Sequence, residues 1–178
     1  MRRLFIGVGF SSELRGYFQD AALMVEKYCE TAKYTRRENF HLTLKFLGMM
    51  DESTINTLID VINHIEVNQL TLYFDHIGFF KKKNRYVIYM GLHPNEALTQ
   101  IAIDLHGALV EKGLTSAEEF IYTPHITLCR QAKLLVPSVD LSRGIEISKE
   151  TMVNNITLYE STNIDGVLTY RPIYIREV

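Results

Sequence analysis

The sequence predicts an α+β fold of two lobes related by a pseudo-twofold axis, with antiparallel sheets lining a central cleft and helices packed outside. Three observations carry this. Short segments of strand-like alternation are interleaved with segments whose apolar residues recur at helical spacing. No stretch rich in proline, glycine or serine divides the chain, so residues 1–178 read as a single domain of two intertwined lobes. The tetrapeptide His41-Leu42-Thr43-Leu44 returns as His125-Ile126-Thr127-Leu128, 84 residues later, each copy preceded by a predicted helix and a short loop.

Taken in order, Leu4–Phe10 is an apolar run of strand length. Ser11-Ser12-Glu13-Leu14 then has the hydroxyl and the acidic first turn of a helix start, and Leu14, Phe18, Ala22 and Val25 form one apolar stripe to about Glu30. His41–Leu47 alternates as a strand and stops at Gly48. Asp51-Glu52-Ser53-Thr54 opens a second helix carrying Ile55, Leu58, Ile59 and Ile62. Leu70–Phe74 and Tyr86–Leu92 read as a hairpin with a long loop that includes the basic run Lys81-Lys82-Lys83-Asn84-Arg85. Pro94-Asn95-Glu96-Ala97 starts a third helix, with Leu98, Ile101, Leu105 and Leu109 inward, ending at Gly113. Tyr122–Arg130, Met152–Glu160 and Leu168–Ile175 are three further strands, while residues 131–150 show no clear element.

The bulk properties exclude several classes. The net charge of −2 lacks the broad basic surface that neutralises a long run of phosphates, but leaves room for a short or terminal nucleic-acid substrate. Cys29 and Cys129 have no partner at metal or redox spacing, which suits a reducing cytoplasm. No apolar run approaches the roughly 20 residues of a membrane span, and the short apolar stretch after Arg2-Arg3 lacks a cleavage pattern. The expectation is a soluble cytoplasmic monomer.

The repeated tetrapeptide is where the chemistry lies. Residues i and i+2 of a strand share a face, so His41 and Thr43 project together while Leu42 and Leu44 pack behind them. The second copy does the same with His125 and Thr127. Two such strands lining one cleft converge two imidazoles and two hydroxyls on a point. Opening a cyclic phosphodiester needs a base for water and an acid for the departing ribose oxygen. Imidazole, with an ordinary pKa of about 6.5, serves as either near neutrality. The threonine hydroxyls can donate to the non-bridging oxygens as charge builds there. No metal or other cofactor is required. A lone His-x-Thr in a strand is common and usually without function; its repetition makes the signal specific. His64, His76, His93 and His106 stand alone and read as surface or packing residues.

Three segments carry a family resemblance. Arg3-Leu4-Phe5-Ile6-Gly7, Glu38-Asn39-Phe40-His41-Leu42-Thr43-Leu44-Lys45-Phe46-Leu47-Gly48 and Tyr122-Thr123-Pro124-His125-Ile126-Thr127-Leu128-Cys129-Arg130 resemble the opening strand and the two signatures of the RNA 2′,3′-cyclic phosphodiesterase (2′–5′ RNA ligase-like) family, in the two-histidine phosphoesterase superfamily. The resemblance implies that His41 is the proton donor to the leaving oxygen and His125 the proton acceptor that activates water. It places Thr43 and Thr127 on the phosphate, with Arg130 adding charge, and it implies a 2′-phosphomonoester product from RNA termini or short oligonucleotides. The chain departs from the family at Tyr34, Arg36 and Tyr89, where tryptophan, proline and tryptophan are frequent.

Two further expectations concern cations. Lys45 shares the alternation face of His41 and Thr43 and is a candidate phosphate contact. Arg130, five residues past His125, points away by simple alternation, so its role requires a twist or a bulge. The residues leave two alternatives open: a phosphodiesterase acting on 2′–5′-linked or other cyclic nucleotides, and a non-catalytic module that binds RNA ends.

Overall fold

In the computed structural model, which describes residues 1–178, strand β1 (Arg2–Gly9) is buried from Leu4 to Val8 on both faces. Helix α1 (Ser12–Glu26) follows at once, because the Ser11 hydroxyl accepts a hydrogen bond from the Leu14 amide at 3.2 Å and closes the first turn. The predicted stripe Leu14, Phe18, Ala22 and Val25 is buried. The helix stops four residues short of the expected end. Cys29–Tyr34 instead forms β2, a strand with few β-branched residues and therefore little sequence signal.

Strand β3 (His41–Met50) runs through Gly48, whose φ of +78° suits a residue without Cβ and puts an irregularity in the strand where an end was expected. Helix α2 (Ile55–His64) is preceded by a 3₁₀ turn over Glu52–Thr54. The next two strands are longer than expected: β4 (Thr71–Lys82) and β5 (Arg85–Leu92) pair up to Lys82 opposite Arg85. A tight turn at Lys83 and Asn84, with Lys83 at φ +56°, replaces the long loop. Helix α3 (Glu96–Glu111) is capped by Asn95, whose Oδ1 accepts from the Leu98 amide at 2.9 Å.

The remaining elements are β6 (His125–Leu134), α4 (Ser138–Gly144), β7 (Lys149–Met152), β8 (Asn155–Ile164) and β9 (Val167–Glu177). Residues 131–150, expected to be irregular, thus hold the end of β6, a short helix and an edge strand that pairs with β4. Asp165-Gly166, both at positive φ, make the tight β8–β9 turn.

The strands form two antiparallel sheets, β3-β1-β8-β9 and β2-β6-β5-β4-β7. Helices α2 and α3 pack on the first sheet, and α1 and α4 on the second. A cluster of 39 buried residues runs through both sheets and all four helices, with Phe18 edge-on to Phe10 and Phe74. The fold is the expected α+β arrangement, with β3 and β6, the two histidine strands, in different sheets.

One partly buried charge cluster fastens the first sheet. Glu160 on β8 accepts from Arg2 at 2.8 and 2.9 Å and from Arg171 at 2.6 Å. These guanidinium bonds hold its carboxyl at about 2 against an ordinary 4.5. A carboxylate with a lowered folded pKa stabilises the protein fully above the unfolded value and loses that contribution as pH falls through the folded one. Thermal midpoints should therefore drop between about pH 4.5 and pH 2, and Glu160→Gln should flatten that part of the curve. A native curve with no slope in the window would remove the cluster from the stability argument.

Candidate active site

His41 and His125 occupy equivalent places in the two sheets. His41 on β3 faces Gly9 of β1, and His125 on β6 faces Gly91 of β5. In each, the ring Nδ1–H donates to the carbonyl two residues back: His41 to Asn39 at 2.7 Å and His125 to Thr123 at 2.8 Å. A carbonyl only accepts, so these bonds fix the tautomer and leave Nε2 of each neutral imidazole as the free nitrogen. The Thr43 hydroxyl meets Nε2 of His41 at 3.0 Å.

Both rings sit among aromatic side chains. Phe5, Tyr159 and Tyr170 surround His41 at centroid distances of 4.6, 5.8 and 5.0 Å. Phe80 and Tyr89 flank His125 at 5.1 and 5.2 Å. The loss of hydration lowers the pKa of each histidine, with Arg130 nearby acting in the same direction and the backbone bonds partly opposing it. His41 falls to about 4 from its ordinary 6.5.

Reciprocal bonds set the two strands against each other. The Tyr122 hydroxyl, just before β6, donates to the Thr43 carbonyl of β3 at 3.0 Å. The Thr35 hydroxyl, before β3, donates to the Thr127 carbonyl of β6 at 2.8 Å. Each approach segment thus grips the opposite motif. Nothing in the sequence pairs these residues; the contacts arise from the pseudo-twofold arrangement.

A β-bulge in each histidine strand decides which later residues reach the cleft. On β3, Gly7 pairs with Thr43 and Ile6 with Lys45, so Leu44 is the extra residue. On β6, Tyr89 pairs with Thr127 and Ile88 with Cys129, so Leu128 is the extra residue. The bulge turns Arg130 onto the face of Thr127, and it lines a cavity of about 300 Å³ together with His41 and Thr127. The same device corrects the expectation for Lys45. Its ammonium is 3.0 Å from His106 Nδ1 on α3 and 4.4 Å from the Phe120 ring centre, on the helix side of the sheet. Phe46 takes the cleft position instead, in a second cavity of about 260 Å³ shared with Arg3, Thr43, Arg130 and Tyr170.

The structure therefore gathers His41, Thr43, Thr127 and Arg130 around the two cavities, while His125 packs against Tyr89 and Phe80 and lines neither cavity. Sequence reasoning passed over Asn39. It is buried, its Nδ2 donates to the Leu168 carbonyl at 2.9 Å, and its Oδ1 accepts from the Tyr170 amide at 3.0 Å. Asn39 thereby pins β9, and with it the Tyr170 ring, against His41. His76, read from the sequence as a surface or packing residue, lies within β4 with its ring over Gly91, beside Asp75.

Comparison with known proteins agrees with this geometry. Residues 11–152 match the model of a family described as the AKAP7 2′5′ RNA ligase-like domain. The protein named RNA 2′,3′-cyclic phosphodiesterase of Methanocaldococcus jannaschii is 25% identical over 167 residues, 90% of this chain and 91% of its own. A protein of the same name from Thermotoga maritima is 26% identical over 187 residues, covering 97% and 93%. The crystal structure of E. coli LigT complexed with 3′-AMP superposes with a TM-score of 0.81 at 26% identity, over 99% of this chain and 98% of that one. The chain belongs to the AKAP7 2′5′ RNA ligase-like family, and so to the two-histidine phosphoesterases.

Proposed function

We propose that this protein hydrolyses 2′,3′-cyclic phosphate ends of RNA to 2′-phosphomonoesters. His125 Nε2 takes a proton from the attacking water as its oxygen bonds to phosphorus. His41 Nε2–H gives a proton to the 3′ oxygen as the P–O3′ bond breaks. Each imidazolium is stabilised through Nδ1–H by the carbonyl it already holds, Asn39 or Thr123. Thr43, Thr127 and Arg130 meet the non-bridging oxygens, where charge develops. Joining the cyclic end to a 5′-hydroxyl uses the same groups in the same sense, with the hydroxyl in place of water: His125 takes its proton, His41 protonates the departing 3′ oxygen, and a 2′–5′ diester forms.

The observation that carries this reading is the pair of matched imidazoles with Nδ1–H tied back to a carbonyl, which leaves Nε2 as the nitrogen without a proton. Water attack and leaving-group departure at phosphorus need an acid and a base on opposite sides, and two histidine strands in two sheets supply them. The relatives named RNA 2′,3′-cyclic phosphodiesterase support the substrate class. Free thiols at Cys29 and Cys129 suit work in a reducing cytoplasm, and no helix is long and apolar enough to cross a membrane.

The test is turnover of a nucleoside 2′,3′-cyclic phosphate in excess EDTA with the product isomer resolved. We expect the 2′-phosphate. A 3′-phosphate would reverse the direction of opening, and a preference for 2′–5′-linked oligoadenylate would replace the substrate. Tight binding of RNA ends without turnover across mildly acidic to mildly basic pH would leave a binding module.

A further inference from the structure

We propose that the cavity lined by residues of β2, β6 and β9 is a second phosphate site, which takes the phosphate on the 5′ oxygen of the nucleoside whose cyclic phosphate is opened. This rests on the reading of the cleft given above and extends it to the substrate beyond the reacting ring.

A like-charge pair marks this cavity. Lys33 on β2 and Arg130 on β6 are register partners, directly opposite each other across the ladder, and both line this cavity. Like charges placed opposite on neighbouring strands destabilise a sheet. Nothing in the protein relieves this pair: neither residue belongs to any ion pair. Arg36, the third cation of the cavity, meets only the exposed Glu38, at 3.6 Å. No acidic residue lines the cavity, so three cations face a volume of about 300 Å³, and only Arg36 has a counter-charge, outside the lining.

The cyclic phosphate does not account for them. It carries one negative charge, and the two imidazoles, Thr43, Thr127 and Arg130 already address it. A cyclic end has no downstream nucleotide, so the only further phosphate within one sugar's reach is on the 5′ oxygen. The cavity is placed for it, because His41 and Thr127 line it together with the cations Lys33, on β2, and Arg36, two residues past that strand. Tyr34 and Tyr170 give the intervening sugar apolar surfaces to lie against. The shared chemistry is a phosphate on O5′, either a 5′-monoester or the diester that links the terminal nucleoside to the rest of an oligonucleotide.

The experiment reads binding, so it does not depend on turnover. Calorimetry at low salt compares adenosine 2′-monophosphate, adenosine 2′,5′-bisphosphate and an adenylyl dinucleotide ending in a 2′-phosphate. We expect the bisphosphate, the dinucleotide or both to bind at least tenfold more tightly than the monophosphate, the arm that gains identifying the source of the second phosphate. In the double variant Lys33→Gln/Arg36→Gln the gain should shrink below threefold. The thermal midpoint of Lys33→Gln should equal or exceed that of the parent, since the substitution removes the repulsion with Arg130. Binding of all three ligands within threefold in the native protein would overturn the proposal, as would a gain that survives in the double variant. Loss of cyclic phosphate turnover with the binding preference intact would overturn the hydrolase reading alone.

Discussion

Replacing His41 or His125 with alanine is expected to lower kcat for cyclic phosphate opening by about 10²–10⁴-fold, the worth of one positioned proton transfer. The double variant should lose far less than the product of the two, because acid and base act in one step. A distinctive accompaniment is the pH dependence. Both imidazoles titrate below 6.5 in the free protein, His41 near 4, because aromatic neighbours remove their hydration. The base must be neutral and the acid protonated. The rate therefore falls as pH drops below the lower pKa and falls again as pH rises above the higher one. The optimum of kcat/KM should lie below pH 6.5, while the optimum of kcat should lie higher, since a bound phosphate anion stabilises the imidazolium between the sheets. Each single alanine variant should lose one limb of the bell. Wild-type turnover in both variants, or a flat native profile, would take the proton transfers away from these residues.

Asn39→Ala is expected to reduce both stability and rate, through different links. Its amide bonds the Leu168 carbonyl and the Tyr170 amide, and losing them leaves backbone groups to find other partners, at a cost of roughly 2 kcal/mol. The rate effect runs through position: Tyr170 packs edge-on to His41 at 5.0 Å, and the Asn39 carbonyl orients the same ring through Nδ1–H. A small displacement of a reacting group costs about 10²-fold at most, so we expect kcat to fall 10- to 100-fold with KM little changed. The low-pH limb of kcat/KM should also move up as water reaches His41. Asn39→Asp keeps the acceptor for the Tyr170 amide and should recover part of the stability. An unchanged limb with a lowered thermal midpoint would make Asn39 a structural residue only.

Much of this site is legible in the chain because the repeated histidine–threonine pattern is local. His41 with Thr43 and His125 with Thr127 need only a strand's period of two, and the caps Ser11 and Asn95 need only their own first turns. What escaped depends on pairing. The bulges at Leu44 and Leu128 shift the phase of alternation, yet both residues are leucines, with no glycine to mark the change. That shift sent Lys45 to the helix side and brought Arg130 and Phe46 to the cleft. Cys29–Tyr34 and Lys149–Met152 become strands because β6 and β4 offer them edges, a tertiary cause with no sequence cue. The hairpin β4–β5 outgrew its expected length because Ile77 is buried and Lys81 and Lys82 still find ladder partners beyond it.

Those matched bulges also break the symmetry they share. At the same distance past the histidine, one strand presents the Phe46 ring and the other the Arg130 guanidinium. Two interchangeable imidazoles on a perfect dyad would accept a cyclic phosphate in either orientation and open either ester bond. With an apolar face on one side and a cation on the other, the cleft has a polarity: a nucleotide's base and its charge have different preferred ends. On the proposed reaction, regioselectivity would thus rest on the fifth residue after each histidine, outside the repeated motif itself.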